Sequence, residues 1–379
     1  MIQRLGQKNA QRAFAPANAT GKRRIGSSFY RGDTINFTPY SEDFEKADFL
    51  QDYLLKGWTP AAPVLTKGMK ITAFGSCFAV HITEHLSKIG YDLARDRDPG
   101  IYVSAMGEGL VNTHAILGQF EWAFLNKTQP VELWHGFKAE GYGYDEDIRL
   151  RTRAIFSETD FFIITLGLSE VWYDEVSGGV FWRAVPIDSF DPSRHKFRVS
   201  TISETKENIH RIYALIREFV PGAKVLFTLS PIPLAATFRP VSCLTANSAS
   251  KAVLRGALDE VLRERADDLN SRLFYFPSYE IVQELFPDRF QRDGRHPTVG
   301  IVPVIMKIFE ATYCEEGAGF DEVNAEFVEA RKQNIRGIRA KVKQTRNPAD
   351  GDGPDIDALK KRKREKRLAG KRGRLSTGS

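Results

Sequence analysis

Two short segments of the chain contain residue types that together can do covalent chemistry. In the first, Ser76 and Cys77 directly follow an apolar run and precede a helix-like pattern. In the second, Asp293 stands three residues before His296. A hydroxyl or thiol attacks an acyl carbon when an imidazole removes its proton and a carboxylate fixes the imidazole tautomer. The two segments therefore predict a nucleophile, a base and an acid that orients the base.

The residue types alone leave the nucleophile open. A thiol at a helix N-terminus and near an imidazolium is shifted toward the thiolate, which favours Cys77. Free cysteine is also often a small buried residue, and Ser76 is then the alternative nucleophile. The spacing of Asp293 and His296 likewise fits an aspartate that caps a turn beside a surface histidine.

The surrounding pattern predicts a parallel sheet. From Lys70 onward, apolar runs alternate with amphipathic helical segments. The predicted strands are 70–75, 160–167, 223–231 and 272–278, and the predicted helices are 79–90, 204–220, 248–266 and 298–313. Strands separated by helices form a parallel sheet that is covered on both faces, and ligands bind beyond its carboxyl edge. Several small residues are expected at that edge: Gly75, Ser76, Cys77, Gly167, Ser230 and Ser278.

Bulk composition limits the class of protein. A hydrophobic fraction of 42% and a charged fraction of 27% are typical of a soluble globular protein. No apolar run is long enough to span a membrane. The three cysteines are odd in number and far apart, which argues against a disulfide framework and indicates a reducing, cytoplasmic location.

Composition also predicts how the chain is divided. Residues 1–35 are expected to form a flexible arm, 36–315 the main α/β domain, 316–345 a helical extension and 346–379 a disordered basic tail. The net charge is +6, yet residues 341–379 alone carry +8, so the remainder carries −2. The basicity therefore belongs to the tail, which is expected to contact polyanions without selecting a specific nucleic acid.

Six motifs, in order along the chain, resemble those of a known family. They are FGSCFA (74–79), ITLGLSEVW (164–172), TLSPIPL (228–234), TANSASKAVLR (245–255), YFPSYEIV (275–282) and DGRHP (293–297). Together they resemble the GSCFA-domain family of the SGNH/GDSL hydrolase superfamily. The resemblance implies a three-layer α/β/α sandwich with a mainly parallel sheet over residues 36–315, and acyl-ester or acyl-transfer chemistry. The superfamily begins with Gly-Asp-Ser, and an ungapped match places Cys77 on the nucleophile.

The resemblance also implies an oxyanion hole, and residues in or near the motifs are candidates for substrate binding. The candidate oxyanion donors are the backbone N–H of Cys77, either Gly107 or Gly109, and Ser169, which stands where the superfamily has asparagine. The candidate substrate-binding residues are Asn112, Glu170, Asn247, Lys251 and Arg295. Asn247 with Ser250 is first of all a helix-capping pattern. No residues have the spacing of metal ligands, so no metal is expected.

These observations predict an acyl-ester hydrolase or O-acyltransferase that acts on a hydroxylated substrate, either a glycan or a small molecule. An acyl group on a cysteine is a thioester, so acyl-coenzyme A is a suitable donor, and no other cofactor is expected. The alternative is a non-catalytic glycan-binding or scaffold domain of the same fold. The sequence leaves the acyl group, the acceptor and the oligomeric state open.

Overall fold

The computed structural model describes residues 36–106, 109–128, 143–182, 185 and 187–345. Gly107, the N-terminal arm and the basic tail lie outside these residues. One compact unit extends to Arg331, and a second begins at Lys332.

Five parallel strands form the main sheet: the four strands that the sequence predicts and one short strand of two residues that it does not. They are β1 (Lys70–Gly75), β2 (Asp92–Leu93), β3 (Phe161–Leu166), β6 (Lys224–Leu229) and β7 (Leu273–Phe276), in the order β2-β1-β3-β6-β7. All four strand pairs are parallel. The carboxyl ends of β1, β3, β6 and β7 therefore meet at one edge of the sheet.

Helices cover both faces of this sheet. The helices are α1 (Cys77–Lys88), α2 (Thr113–Leu125), α3 (Glu146–Ser157), α4 (Ile202–Phe219), α5 (Cys243–Glu264), α6 (Ile301–Tyr313) and α7 (Phe320–Thr345). One buried cluster joins the sheet to α2, α3, α4 and α5. The other joins the opposite face to α1, α6 and the start of α7. The predicted fold class, an α/β protein with helices on both sides of a parallel sheet, is confirmed.

A separate antiparallel hairpin lies between β3 and α4 in the chain. It consists of β4 (Glu170–Asp174) and β5 (His195–Val199), with Trp172 paired to Phe197. Every residue of β5 is only partly buried. The strand therefore lacks the apolar run by which the sheet strands are recognised in the sequence.

Short elements complete the described chain. They are Asp43–Glu45, Leu50–Leu54, Ala94–Arg97, Tyr102–Ala105, Ile187–Ser189, Ser278–Glu280 and Ile281–Leu285. Within the described ranges, no helix has the length and apolar character that a membrane span requires.

Candidate functional site

Gly75 makes the sharp turn between β1 and α1. Its φ is +135°, a conformation that residues with a side chain rarely adopt. A Cβ at this position would overlap the backbone carbonyl of Thr165 on the neighbouring strand. The same carbonyl accepts a hydrogen bond from the N–H of Ser76 at 3.2 Å. Glycine is therefore required here so that the chain can leave the sheet and begin a helix at once.

Ser76 and Cys77 have different environments although they are neighbours. Ser76 is the N-cap of α1: its Oγ accepts a hydrogen bond from the N–H of Phe78 at 3.2 Å, and the residue is buried. Cys77 is the first residue of the helix and is partly exposed. The first turn of a helix favours negative charge through its N–H groups and its dipole. The thiol thus occupies the more accessible position, next to groups that stabilise a thiolate.

The end of β3 approaches this elbow closely through Gly167. A Cβ on Gly167 would lie 3.3 Å from the Cβ of Ser76 and 2.8 Å from the carbonyl oxygen of Val111. The backbone N–H of Gly167 donates to that carbonyl at 2.9 Å. Ser230, which directly follows β6, is buried as well. Small residues at the strand ends therefore allow β1, β3 and β6 to meet at one edge, as expected from the sequence.

Lys251 reaches this same edge from α5. Only 2% of its surface is exposed, and its Nζ donates to the carbonyl oxygens of Gly167 at 2.7 Å and Ser230 at 2.8 Å. Burial lowers its pKa to about 7, although the charge of Cys77 acts in the opposite direction. Lys251 is a candidate for substrate binding, and the structure places it between two strand ends, buried within the protein.

The sequence contains a signal for this position. Lys251 lies on the helix face that includes Leu254 and Leu258, both fully buried. A lysine on the apolar face of an amphipathic helix is unusual, because lysine is rarely buried without a partner. The helical period thus indicated a buried amine, but not the carbonyl groups that hold it.

Asp293 and His296 are brought together in the turn before α6. The Nδ1 of His296 hydrogen-bonds the Oδ2 of Asp293, and both side chains are about half exposed. The Oδ1 of Asp293 accepts from the N–H groups of Arg295 at 2.9 Å and His296 at 3.1 Å. The backbone N–H of Arg295 and the imidazole of His296 lower the pKa of Asp293 to about 2. The carboxylate is therefore ionised at neutral pH and holds Nδ1, which leaves Nε2 for proton transfer.

Helices α1 and α6 lie side by side on the same face of the sheet. The Nε2 of His85 and the Oε1 of Glu310 are 2.6 Å apart. His85 is eight residues from the start of α1 and Glu310 nine residues from the start of α6. The contact thus lies at a similar distance along each helix from its first residue. Cys77 is the first residue of α1, and His296 precedes the first residue of α6 by five positions.

Two of the candidate oxyanion residues have other partners. The backbone N–H of Gly109 donates to the carbonyl of Met106 at 2.6 Å and closes a turn. Ser169 is buried, and both its N–H and its hydroxyl donate to the Oγ of Ser250, at 2.9 and 3.2 Å. Gly107 lies outside the described residues. The N–H of Gly109 and the polar groups of Ser169 therefore have hydrogen-bond partners within the protein.

Two of the candidate substrate-binding residues, Asn112 and Glu170, form hydrogen bonds within the protein. Asn112 caps α2: its Oδ1 accepts from the N–H of Ala115 at 2.9 Å, and its Nδ2 donates to the carbonyls of Phe181 and Trp182. Glu170 accepts from the hydroxyl of Thr237 at 2.9 Å and is buried. The amide of Asn112 and the carboxylate of Glu170 are thus hydrogen-bonded within the protein, and their role in substrate binding stays a prediction.

Asn247 lies inside α5 and does not cap it, because that helix begins at Cys243 with Ser242 as its N-cap. The Oδ1 of Asn247 accepts from the N–H of Leu234 at 3.0 Å and so fixes the loop after β6. The side chain of Arg295 is partly buried, and its Nε is enclosed without a hydrogen bond to any described residue. Within the same part of the chain, no three His, Cys, Asp or Glu side chains form a group suited to a metal ion.

The fold and its edge define an α/β protein with a cysteine on a strand-to-helix elbow and a separate Asp–His pair. A model of the GSCFA family matches residues 70–309, well over half of the chain. The chain therefore belongs to the GSCFA family. The matched region begins with β1 and contains Cys77, Lys251 and His296.

Comparison with other known proteins adds little beyond the family. Among solved structures, LAE5, an α/β hydrolase enzyme from the metagenome of Lake Arreo, Spain, is 14% identical, with a TM-score of 0.31. That match covers 67% of this chain and 99% of the LAE5 chain. A likeness this weak carries no argument about activity. No curated protein matches the sequence significantly.

Proposed function

We propose that this GSCFA protein is an acyl-transferring enzyme of the SGNH type, in which Cys77 forms an acyl-enzyme intermediate. The acyl group then passes to water or to a hydroxyl of a glycan-type acceptor. Hydrolysis and O-acyl transfer differ only in which of these hydroxyls reaches the intermediate. A thioester donor such as acyl-coenzyme A is a suitable source, because the energy of its thioester is close to that of the acyl-enzyme.

The contrast between Cys77 and Ser76 carries this proposal. The hydroxyl oxygen of Ser76 is buried and occupied by the N–H of Phe78, whereas Cys77 is partly exposed at the first position of α1. A nucleophile must be accessible to its substrate and must be able to become an anion. Cys77 meets both conditions, since the first turn of a helix stabilises negative charge.

His296 is the proposed general acid and base. Its Nδ1 is held by the ionised Asp293, so Nε2 can accept a proton from the attacking water or acceptor hydroxyl. The backbone N–H groups of the first turn of α1, beginning with Cys77, are the proposed donors to the oxyanion.

Intact-mass spectrometry tests the intermediate directly. The wild type is incubated with p-nitrophenyl acetate or with acetyl-coenzyme A, beside Cys77→Ala, Ser76→Ala and His296→Ala. Cys243→Ala is the matched control, because Cys243 is also a partly exposed first residue of a helix that a serine caps. A single acetyl adduct that is lost in Cys77→Ala and retained in Ser76→Ala, Cys243→Ala and His296→Ala supports the proposal, because His296 is assigned to the hydroxyl that attacks the acyl-enzyme.

Other outcomes identify the error. An adduct lost in Ser76→Ala and retained in Cys77→Ala moves the nucleophile to the serine. No adduct and no release of acetate in any variant indicates a non-catalytic binding domain. Charging by acetyl-coenzyme A in addition to the ester favours transfer over hydrolysis.

A further inference from the structure

Lys251 is a buried cation or amine whose surroundings are unusual. Its Nζ donates two hydrogen bonds, to the backbone carbonyls of Gly167 and Ser230. No carboxylate among the described residues forms an ion pair with it. An ammonium has three hydrogens to donate, and a buried charge without an opposite charge is costly. The position therefore calls for a nearby anion or for loss of the proton.

The elbow that carries Cys77 is immediately adjacent. Gly167 accepts the hydrogen bond from Lys251, and a Cβ on Gly167 would be 3.3 Å from that of Ser76. Lys251 thus reaches the end of β3 at the point where β3 approaches the residue before Cys77. Cys77 is also the group whose charge acts on Lys251, against the effect of burial.

We propose that Lys251 is the charge partner and proton acceptor of Cys77, so that the thiol is activated by this buried amine and not by His296. This inference rests on the proposed function, because it assigns the activation of the same nucleophile. At neutral pH the two side chains share one proton, either as thiol and amine or as thiolate and ammonium. His296 then acts on the second hydroxyl, that of water or of the acceptor.

The first half-reaction balances within this pair. The proton leaves the sulfur of Cys77 for the Nζ of Lys251, and the sulfur electron pair forms a bond to the ester carbonyl carbon. The carbonyl π pair moves to oxygen, and its return expels the alkoxide. The alkoxide takes the proton from the ammonium and leaves as the alcohol. The enzyme now carries a thioester and a neutral amine.

The pH dependence of cysteine alkylation tests this assignment without relying on turnover. The folded protein is treated with iodoacetamide at several pH values, and the labelled peptides of Cys77 and Cys243 are followed separately by mass spectrometry. We expect the Cys77 rate in the wild type to rise with an inflection at least one unit below the ordinary thiol pKa of about 8.5. In Lys251→Met the inflection is expected at about 8.5 or above, with the rate at pH 7 reduced about tenfold or more.

The Cys243 peptide serves as the internal control, and its rate is expected to be the same in both proteins. His296→Ala is expected to leave the Cys77 inflection unchanged. Circular dichroism and thermal unfolding show whether Lys251→Met is folded. The wild-type inflection is a second test that needs no variant.

An ordinary inflection in the wild type overturns the inference, and so does a low inflection that shifts in His296→Ala but not in Lys251→Met. These results differ from failure of the proposed function. If the inflection is low and depends on Lys251, yet no ester acylates the protein, the thiol–amine pair is supported and the proposed acyl-transfer function is contradicted. If Cys77 is acylated while its inflection is ordinary, the proposed acyl-transfer function is supported and the pairing of Cys77 with Lys251 is contradicted.

Discussion

The chain contains two Ser–Cys helix starts, and their comparison shows what makes one of them a site. Ser76 caps α1 and Ser242 caps α5, each through an Oγ that accepts the N–H two residues later at 3.2 Å. Cys77 and Cys243 are the first residues of these helices, and both are partly exposed. Local structure is therefore nearly the same at the two positions.

Their surroundings differ. Cys77 follows a sheet strand through Gly75, and its neighbour Ser76 lies close to Gly167, whose carbonyl accepts a hydrogen bond from the buried Lys251. Cys243 follows an exposed loop residue, Ser242, and its Sγ lies 3.8 Å from the carbonyl oxygen of Leu234. A helix N-terminus alone thus does not define the site. What distinguishes the surroundings of Cys77 is the parallel sheet, which brings the ends of several strands together and holds Lys251 at two of them.

The largest expected effect comes from replacing each of the two cysteines in turn. Cys77→Ala is expected to reduce kcat/KM for p-nitrophenyl acetate by about 10³-fold or more, because loss of a nucleophile leaves only the remaining binding and oxyanion terms. Cys243→Ala is expected to retain wild-type kcat/KM. Steady-state release of p-nitrophenol measures both values. An equal loss in the two variants would contradict the assignment of Cys77 as the nucleophile.

The Asp–His pair gives the next largest effect. His296→Ala is expected to lower kcat by about 10²- to 10⁴-fold, the usual contribution of a general acid and base. Asp293→Asn is expected to cost less, because the imidazole remains. Since the pKa of Asp293 is about 2, its carboxylate stays ionised from pH 4 to 9. An activity loss on acidification within that range that disappears in Asp293→Asn would contradict this assignment.

The sequence predicted four of the five strands of the main sheet, because these strands are buried and read as apolar runs. The fifth strand, β2, has only two residues and was missed. β1 was predicted at residues 70–75, and it occupies those residues. α5 was predicted from 248 but begins at Cys243, since its first turn is polar and Leu244 is exposed. The hairpin of β4 and β5 was missed for the related reason that β5 is only partly buried.

The site was predictable where it depends on neighbours in sequence and not where it depends on distant ones. Asp293 and His296 are three residues apart, so a turn suffices to join them. Lys251 is held by carbonyls of Gly167 and Ser230, at separations of 84 and 21 residues. Local periodicity shows that Lys251 faces the core, but only the strand order shows which carbonyl groups accept its hydrogen bonds.

Gly75 tests whether the elbow needs its unusual backbone. Gly75→Ala is expected to destabilise the protein by about 3 kcal/mol, because it combines a positive φ with overlap on the carbonyl of Thr165. Gly90→Ala is the matched control: φ is +84° there, and a Cβ would meet nothing within 4 Å. It is expected to cost about 1 kcal/mol, for the left-handed conformation alone. Urea unfolding gives both values. Equal costs would show that overlap with the carbonyl of Thr165 adds nothing to the cost of the positive φ.

Lys251 should make stability depend on pH in a way that no exposed lysine does. Its pKa is about 7 in the folded protein, below the ordinary value of 10.5, so the unfolded chain holds a proton that the folded chain lacks between these limits. The free energy of unfolding of the wild type, minus that of Lys251→Met, is therefore expected to rise by about 1.4 kcal/mol per pH unit above pH 7. Urea unfolding between pH 6.5 and about 8.5 measures this difference, and a flat difference would mean that folded Cys77 and Lys251 together hold as many protons as they do in the unfolded chain.

The smallest effect concerns the two caps themselves. Ser76→Ala and Ser242→Ala each remove one side-chain hydrogen bond of 3.2 Å to a helix N–H, and each is expected to cost about 1 kcal/mol. Because a cap supports the helix and does not attack substrate, Ser76→Ala is expected to retain formation of the acyl-enzyme on Cys77. Urea unfolding and intact-mass spectrometry on the same two variants check both statements. If Ser76→Ala were no less stable than Ser242→Ala but could not be acylated, the serine would be more than a cap, and the two helix starts would differ in nucleophile as well as in surroundings.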